Sequence, residues 1–266
     1  MTQIVTLSAL DLGLAAGLVL LLALLTTRFG MKLAGSMALS ATRAALQLLL
    51  IGLVLEALFA HSHLLWVGGI GLVMLLVAGR EVMARQTRRF RGGWGFGLGT
   101  VSMFLSSFAV AILALLVLVQ PEPWYAPQYA IPLLGMLLGN TMNGIALALE
   151  RLTDAAWDQR RLIEARLALG HPWQAAIDRA RRESARSGLI PIINAMAAAG
   201  VVSLPGMMTG QILAGAPPME AVKYQILIFF LIALGTGFGT LAAVWMAARR
   251  LFDDRQRLRL DRLTSR

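Results

Sequence analysis

The chain has 266 residues, of which 58% are hydrophobic and 14% charged, with no cysteine and a net charge of +10. A soluble domain carries roughly 25% charged residues, so this composition excludes a soluble protein, and the lack of cysteine excludes disulfides, thiolate metal sites and Cys-based redox motifs. The positive charge does not indicate a nucleic-acid partner, because the arginines lie in short gaps between apolar runs and form no continuous basic face.

The apolar runs predict about seven membrane-spanning helices, each long enough to cross a hydrocarbon core of about 30 Å. No basic segment precedes the first run, so it is predicted to be a retained span and not a cleaved signal peptide. The predicted fold is all-α: a polytopic transmembrane helical bundle that forms one domain over residues 1–266. In chain order, the spans are predicted at residues 7–27, 38–60, 64–84, 94–119, 130–150, 188–214 and 221–248.

The distribution of Lys and Arg among the gaps predicts the orientation of this bundle. By the positive-inside rule, basic gaps face the cytoplasm. The N-terminus is therefore predicted outside and the C-terminus inside, with a basic cytoplasmic tail at 249–266. The gaps without Lys or Arg are 61–63, 120–129 and 214–220. The basic gaps alternate with them, at 28–37, 80–91, 151–187 and 249–266.

Arg43 and Gln47 lie four residues apart on one face of the second predicted span, in "ATRAALQLLL". An arginine at the centre of a membrane costs about 2.5–3.5 kcal/mol, but Arg43 is close enough to the predicted cytoplasmic edge for its side chain to reach water. The two residues are candidates for gating. A purely structural role, with Arg43 snorkelling to the interface, stays open as the alternative.

The sequence contains no phosphate-binding loop of the form G-x-x-x-x-G-K-[ST]. The nearest glycine cluster, "GGWGFGLG" at 92–99, has no following Lys and enters a predicted span. Its glycines, like Gly235 and Gly239 in the last span, predict close packing between helices. We therefore expect that the chain does not hydrolyse nucleotide itself, and that active transport would draw on a partner or an ion gradient.

Amides and methionines concentrate in the fifth and sixth predicted spans. In the fifth, "LLGMLLGNTMNG" places Met136 and Asn140 beside a small-residue face formed by Gly135 and Gly139, and Asn140 and Asn143 are candidates for interhelical hydrogen bonds. Helix packing explains each residue singly, and most of the methionines are expected to fill gaps. The concentration favours a translocation path, although a route lined by thioethers would suit soft ions such as Cu(I).

The sixth predicted span contains "VVSLPGMMTGQILAG" at 201–215, which Pro205 interrupts. A proline inside a helix removes a backbone donor and frees a carbonyl, which a membrane protein tolerates where the segment is buried in protein or lines a cavity. A simple proline kink and a broken span on a translocation path both fit. On the second interpretation, the path residues here are Asn194, Ser203, Pro205, Met207, Met208 and Gln211.

The longest hydrophilic segment, 151–187, predicts a helix–turn–helix outside the membrane. Leu162, Arg166 and Leu169 recur at i, i+4 and i+7, which gives an apolar edge beside a charged face. Gly170, followed by a proline two residues later, predicts the end of one helix and the start of the next. The pattern fits both a solvated surface helix and a docking element for a cytoplasmic partner.

Four blocks of the sequence resemble the FetB-type permease family, whose members are membrane subunits of ATP-binding-cassette transporters. The family includes a bacterial iron-export permease and plant membrane proteins linked to aluminium tolerance. The resemblance covers about residues 38–230, and "SLPGMMTG" followed by "KYQI" is its most specific part. The blocks are "RAALQLLLIGLVL", "IPLLGMLLGNTMNGIAL", "EARLALG" and "LIPIINAMAAAGVVSLPGMMTGQILAGAPPMEAVKYQI".

The resemblance implies a permease subunit, without cofactor or ATP-binding motif, that works as a homodimer with separate cytoplasmic ABC ATPase subunits. It implies a place in the cell membrane, the inner membrane in bacteria, and export of a metal cation with iron as the first candidate. Glu164, Ala165 and Gly170 resemble the start of the E-A-A…G coupling motif of such permeases, with Arg166 in place of the second Ala. Two alternatives stay open: a secondary transporter that needs no ATPase, and a membrane scaffold that transports nothing.

Overall fold

The computed structural model describes residues 8–31, 33–60 and 63–265, so the predicted first residue of span one and most of the gap at 61–63 lie outside it. The described residues form ten α-helices and one antiparallel pair of short strands, β1 (Arg88–Phe90) and β2 (Leu263–Ser265). The helices are α1 (Ala9–Arg28), α2 (Ala34–Ala60), α3 (Leu64–Arg85), α4 (Gly93–Val119), α5 (Pro127–Asp158), α6 (Arg160–Ala168), α7 (Trp173–Ala176), α8 (Asp178–Ala198), α9 (Gly206–Leu213) and α10 (Pro218–Arg250).

Within the described ranges, six helices are long and apolar enough to cross a membrane: α1 to α5 and α10. They confirm the prediction of an all-α, polytopic membrane protein, whereas the span count and orientation stay predictions. The predicted span 188–214 is not one helix, because α8 ends at Ala198 and α9 begins at Gly206. The half of this span before the break is continuous with the second helix of the predicted helix–turn–helix, since α8 already begins at Asp178.

Helix α5 lies at the centre of the bundle and packs most extensively against α10, α8 and α3. Its buried side chains recur at helical spacing and include Leu137, Ile145, Ala148, Leu152 and Ala156. They form an apolar stripe, the pattern of a helix that faces several neighbours. The helix starts with a proline in its first turn, where a missing backbone donor costs no hydrogen bond.

Glycines let the central helices approach closely. A Cβ atom on Gly188 of α8 would lie 2.5 Å from the carbonyl oxygen of Gly144 on α5, and one on Gly144 would lie 2.9 Å from the Gly188 carbonyl oxygen. A Cβ atom on Gly239 of α10 would lie 2.5 Å from Cγ2 of Thr141. Only glycine fits where two helix backbones meet at these distances, as in other tightly packed membrane helices.

The predicted packing role of the glycines at 92–99 holds for Gly95 and Gly99, whereas a Cβ atom on Gly92, Gly93 or Gly97 would meet nothing within 4 Å. A Cβ atom on Gly95 would lie 2.7 Å from the Phe90 carbonyl oxygen, and one on Gly99 would lie 3.0 Å from Cγ1 of Val82 on α3. Further along, α4 contains two π-helical segments, Phe104–Phe108 and Ala114–Val119. In the first, Ser107 is fully buried and its hydroxyl donates to Thr141 Oγ1 at 3.3 Å, so α4 is joined to α5 by a polar contact.

Helices α1 and α2 pack mainly against each other and touch the rest of the bundle sparsely. Ala23, Thr26 and Leu58 are their buried residues within the described range, while most of their leucines are exposed. Surfaces of this kind face lipid or another subunit in a membrane protein. Helix α1 begins at a capping box in which the Ser8 backbone N–H donates to Asp11 Oδ2 at 2.8 Å, so this carboxylate has a structural role.

Exposed tryptophan and tyrosine side chains lie near the ends of the spans. At one end of the bundle they include Trp66 at the start of α3 and Tyr129 at the start of α5, and at the other Trp94 at the start of α4 and Trp245 near the end of α10. Tryptophan and tyrosine concentrate at both water interfaces of a membrane, where the ring is in apolar surroundings and the polar atom is in water. Their placement agrees with spans that run between these two levels.

We expect Gly188→Ala to destabilise the protein, because the new Cβ atom would collide with the Gly144 backbone, which cannot move away as a flexible side chain could. Overpacking of this kind costs about 1–3 kcal/mol. The matched control is Gly139→Ala on α5, where a Cβ atom would meet nothing within 4 Å. Thermal unfolding of the two variants in one detergent should show a lower midpoint for Gly188→Ala alone, and equal midpoints would contradict the close approach.

Candidate functional site

The predicted path residues on α5 lie in the interior of the bundle. Met136 and Asn140 are half-buried, and the Asn140 side-chain amide donates to the Met136 carbonyl oxygen at 2.8 Å. Asn140 therefore hydrogen-bonds within its own helix, contrary to the predicted interhelical bond. Asn143 does bond between helices, since its Oδ1 accepts a hydrogen bond from Arg85 Nη1 of α3 at 2.6 Å.

Pro205 directly precedes α9 as its N-cap residue and lies in no helix interior, so the interpretation as a kinked continuous helix is wrong. At a helix start its missing N–H costs no hydrogen bond, and its carbonyl oxygen accepts from the Thr209 backbone N–H at 3.0 Å. The preceding turn is closed by Gly200 N–H donating to the Ser203 carbonyl oxygen at 2.9 Å, with Gly200 at a φ of +80°. The break is thus a defined turn between two helices.

The predicted path residues around this break differ in exposure. Asn194 and Ser203 are exposed, whereas Met207, Met208 and Gln211 are half-buried. They do not form one continuous lining on α8 and α9. The half-buried side chains lie on α9, which packs against the start of α10.

Helices α9 and α10 each contain one buried amide oxygen without a partner in the described part of the chain. Gln211 Oε1 on α9 and Gln225 Oε1 on α10 are both buried, and neither has a hydrogen-bond partner among the described residues. A buried polar atom without a partner costs about 1–3 kcal/mol, so such atoms usually serve a bound water, an ion or a substrate. Gln225 was not predicted, because the sequence shows only one more polar residue at a span end.

Arg43 and Gln47 line an open groove of about 710 Å³ between α2, α3 and α5. Arg43 Nη2 donates to Glu81 Oε1 on α3 at 2.8 Å, so Arg43 is held by a carboxylate and does not simply extend to water. Gly139 forms part of the floor of this groove, where a Cβ atom would meet nothing within 4 Å. The missing side chain of Gly139 therefore leaves space in the groove, and this residue makes no close helix contact.

Sequence reasoning missed Glu81 and Arg85 as members of this groove. Arg85 was counted with a basic gap, and the long-range pairing of Glu81 with Arg43 leaves no local signal. The sequence signal that could have identified them together is their spacing, because residues four apart lie on one face of a helix. Both therefore line the groove from α3.

The basic segments gather at one end of the molecule, which we name the arginine-rich end: β1, α6, α7, the start of α8 and the residues after α10. Arg88 pairs with Asp154 of α5, and the Thr87 backbone N–H donates to Glu150 Oε2 at 2.8 Å. The Trp173 backbone N–H donates to Gln256 Oε1 at 2.9 Å. These contacts join β1 to α5 and α7 to the residues after α10, two pairs of segments that are distant in the sequence.

The predicted coupling residues lie at this end, on α6 and the turn after it. Glu164 and Ala165 are exposed, while Arg166 is half-buried and its Nη1 donates to the Ala176 carbonyl oxygen at 3.4 Å. Gly170 follows the helix with a φ of +87°, which favours glycine, and α7 starts after it at Trp173 as the sequence predicted.

The side chains of the predicted apolar edge of α6 differ in burial: some face the body of the protein and others are exposed. Ile163 is buried and Leu167 is half-buried, so they anchor the helix to the body of the protein. Leu162 and Leu169 are 47% and 79% exposed. The exposed leucines leave an apolar surface beside the charged residues of the helix.

The tail predicted as a basic segment is folded. Strand β2 pairs with β1, so that Phe90 lies opposite Leu263, and both side chains are buried. Phe252 is also buried, with its ring 5.6 Å from that of Trp173. Residues 251–265 of the tail therefore hold β1 and α7 against the end of α10, and we name this segment the strap.

Carboxylates in this strap remain ionised at neutral pH. Hydrogen bonds from the Arg259 side chain lower the pKa of Asp261 to about 2. Hydrogen bonds from the backbone N–H and side chain of Arg257 lower the pKa of Asp253 below its usual value. Both groups lose this stabilising charge only as the pH falls from about 4 toward these lowered values. The strap is thus electrostatically intact over the physiological range.

Comparison with known proteins agrees with this architecture. The profile of the uncharacterised protein family UPF0014 matches residues 9–252. The chain belongs to the UPF0014 membrane protein family. A UPF0014 membrane protein of Synechocystis is 40% identical over 248 residues, which are 93% of this chain and 95% of that protein. This membership confirms the resemblance found in the sequence and the assignment as a multi-pass membrane protein.

Two further relatives carry more specific names. "Probable iron export permease protein FetB" of Escherichia coli is 29% identical over 249 residues, 93% of this chain and of that protein. "Protein ALUMINUM SENSITIVE 3" of Arabidopsis thaliana is 36% identical over 211 residues, 79% of this UPF0014 chain and 75% of the plant protein. No solved structure matches the chain.

We expect Leu263→Ala to loosen the strap, because a buried leucine cut to alanine loses about 2–5 kcal/mol of packing. Hydrogen exchange of residues 88–91, whose backbone faces β2, should speed up at least tenfold. Leu169→Ala, at the same end but on an exposed leucine, is the control and should leave this exchange unchanged. Equal exchange in the two variants would mean that the tail does not hold β1.

Proposed function

We propose that this UPF0014 chain is the membrane-spanning permease subunit of an ATP-binding-cassette exporter. In this proposal it works as a homodimer with separate cytoplasmic ATPase subunits. The observation that carries the proposal is a pair of exposed leucines at the arginine-rich end, Leu162 on helix α6 and Leu169 directly after its last residue. The positive-inside rule favours the cytoplasm as the place of that end.

Helix α6 has the properties that a coupling element needs. An ATPase that closes on nucleotide must press on the permease through a short helix, whose apolar edge fits a groove while its charged face stays in water. Helix α6 follows α5 almost directly, since α5 ends at Asp158 and α6 begins at Arg160. A displacement of α6 would therefore reach the central helix of the bundle.

The proposed cargo is a metal cation, with iron as the first candidate because a relative is named an iron export permease. Within the described ranges, no group of three or more His, Asp or Glu side chains could hold a metal. Along the proposed path, a cation would therefore meet amide and carbonyl oxygens and thioethers. The unpaired oxygens of Gln211 and Gln225 support this proposal, since oxygen ligands suit harder divalent ions better than methionine does.

Docking can be tested by co-expressing the chain with the ABC ATPases of its source organism. We expect a stable complex, and we expect Leu162→Ser combined with Leu169→Ser to weaken it by about thirtyfold or more, because removing buried interface anchors costs more than about 1 kcal/mol each. Ala168→Ser, on an exposed alanine of the same helix, is the control. Unchanged binding by the leucine double variant would reject α6 as the docking element, and the absence of any complex would favour a secondary transporter or a scaffold.

The path is tested with the same complex in lipid nanodiscs. We expect Fe(II) to stimulate ATP hydrolysis, and Gln211→Ala to reduce the stimulation several-fold because a cargo ligand is lost. Gln128→Ala, on an exposed glutamine in the first turn of α5, is the control. Stimulation that survives in Gln211→Ala would remove this residue from the path, and a complex indifferent to all metals would reject the metal cargo.

A further inference from the structure

The groove between α2, α3 and α5 has one charged end and long apolar walls. Arg43 from α2 and Glu81 and Arg85 from α3 form the charged end. The walls are aliphatic, and several of their side chains are exposed, with Leu50 at 64% and Val73 at 59%. The groove is therefore charged at one end and apolar over the rest of its length. It is open on the side of these exposed residues.

The length of the groove matches one leaflet of a membrane. On α2 its lining runs from Ser40 to Val54, and on α3 from Ile70 to Arg85. At 1.5 Å per helical residue, each wall is about 20 Å long. One leaflet contributes about 15 Å of hydrocarbon to a bilayer, so the apolar walls can hold a chain that starts at the charged end and runs to mid-membrane.

The charged end carries one positive charge in excess. Arg43 is paired with Glu81 at 2.8 Å, whereas Arg85 bonds to the neutral side chain of Asn143 at 2.6 Å. Two guanidinium groups beside one carboxylate favour an occupant with a single negative charge. A phosphate diester has that charge, and its oxygens accept the paired N–H donors of arginine.

We propose that this groove binds one acidic phospholipid from the surrounding bilayer. Its phosphate lies between Arg43 and Arg85, and one acyl chain lies along the aliphatic side chains of α2 and α3. Basic pockets between membrane helices bind acidic lipid headgroups on the cytoplasmic side, and the volume of about 710 Å³ is that of a ligand site. The site is independent of any ATPase and of the proposed cargo.

A second copy of the chain fits the groove less well. The sparsely packed α1 and α2 are the surfaces that a dimer would bring together, and each contains one carboxylate, Asp11 and Glu56 respectively. Asp11 lies in the first turn of α1 and Glu56 near the end of α2, both far along their helices from the level of Arg43. Neither carboxylate could neutralise the charged end of the groove.

The purified full-length chain can be titrated in detergent with phosphatidylglycerol and with phosphatidylcholine of identical acyl chains, with bound lipid counted by native mass spectrometry. We expect phosphatidylglycerol to bind more tightly. One charge near a headgroup is worth about fivefold in affinity, so Arg85→Gln should weaken binding about fivefold and Glu81→Gln should tighten it by a similar factor. Arg161→Gln, an exposed arginine of α6, is the charge control and should change nothing.

The direction of the Glu81→Gln effect on lipid affinity distinguishes a role of Glu81 in lipid binding from a purely structural role. Loss of an ion pair alone would lower stability without tightening lipid binding. The proposal is overturned if Glu81→Gln does not tighten binding, or if both lipids bind equally. It is also overturned if glycerol 3-phosphate, which offers the phosphate without a chain, binds as tightly as the lipid.

A variant that fills the groove supplies an independent test. Val73→Trp places an indole between the walls, and Val117→Trp is its control, because both valines are 59% exposed and Val117 lies on α4 outside the groove. We expect only Val73→Trp to remove the bound phosphatidylglycerol, with unchanged unfolding temperature in both. If Val73→Trp leaves the lipid bound, or dissociates a dimer without affecting lipid, the groove is not a lipid site.

Discussion

The contact between the backbones of α5 and α8 at Gly144 and Gly188 is the constraint on which the rest of the structure depends. No side chain separates the two helices there, so their crossing is fixed by main-chain atoms. Helix α5 leads into α6, and α8 follows α7 closely. The crossing therefore determines where the hydrophilic α6 and α7 project, and the same α5 supplies the floor of the groove and packs against α10.

Around this crossing, the protein is divided into a tightly packed and a sparsely packed part. Helices α3, α4, α5, α8 and α10 interlock through glycines, serines and threonines, whereas α1 and α2 bury few side chains. The groove lies at the boundary between the two parts, and the ion pair from Arg43 to Glu81 crosses it. A movement of α2 relative to α3 would open or close the groove. During it, the ion pair between Arg43 and Glu81 would either break or be kept by rotation of the two side chains.

Local patterns in the sequence predicted the parts of the fold that depend on local chemistry. Hydropathy located the long helices, the spacing of Gly235 and Gly239 located close packing on α10, and Gly170 located the end of α6. Glycine spacing did not locate the contact between Gly144 and Gly188, and Gly139 proved to make no helix contact. The break before Gly206 was not decided by the sequence, because Pro205 fits both a kink within a helix and the start of a new one. Backbone hydrogen bonds in the turn before it distinguish the two.

The candidate sites were predicted only in part, because their decisive contacts join residues that are distant in the chain. Arg43 was singled out as an unusual residue in a span, but its partner Glu81 could not be identified without knowing that α2 and α3 border one groove. The pairing of β1 with β2 was also missed, since three-residue strands lack a periodic pattern that marks them. Gln211 was predicted and Gln225 was not, because burial alone distinguishes the second from an ordinary surface glutamine.

The most direct test of the central claim is Fe(II) flux into proteoliposomes that contain the chain together with its ABC ATPase, with Fe(II) and ATP both supplied on the side of the ATPase. If the chain is the permease of an ATP-driven exporter, Fe(II) crosses the membrane only with ATP and an ATPase competent for hydrolysis. Fe(II) flux without the ATPase, driven by an imposed pH gradient, would contradict the assignment as an ATP-driven exporter and indicate a secondary transporter.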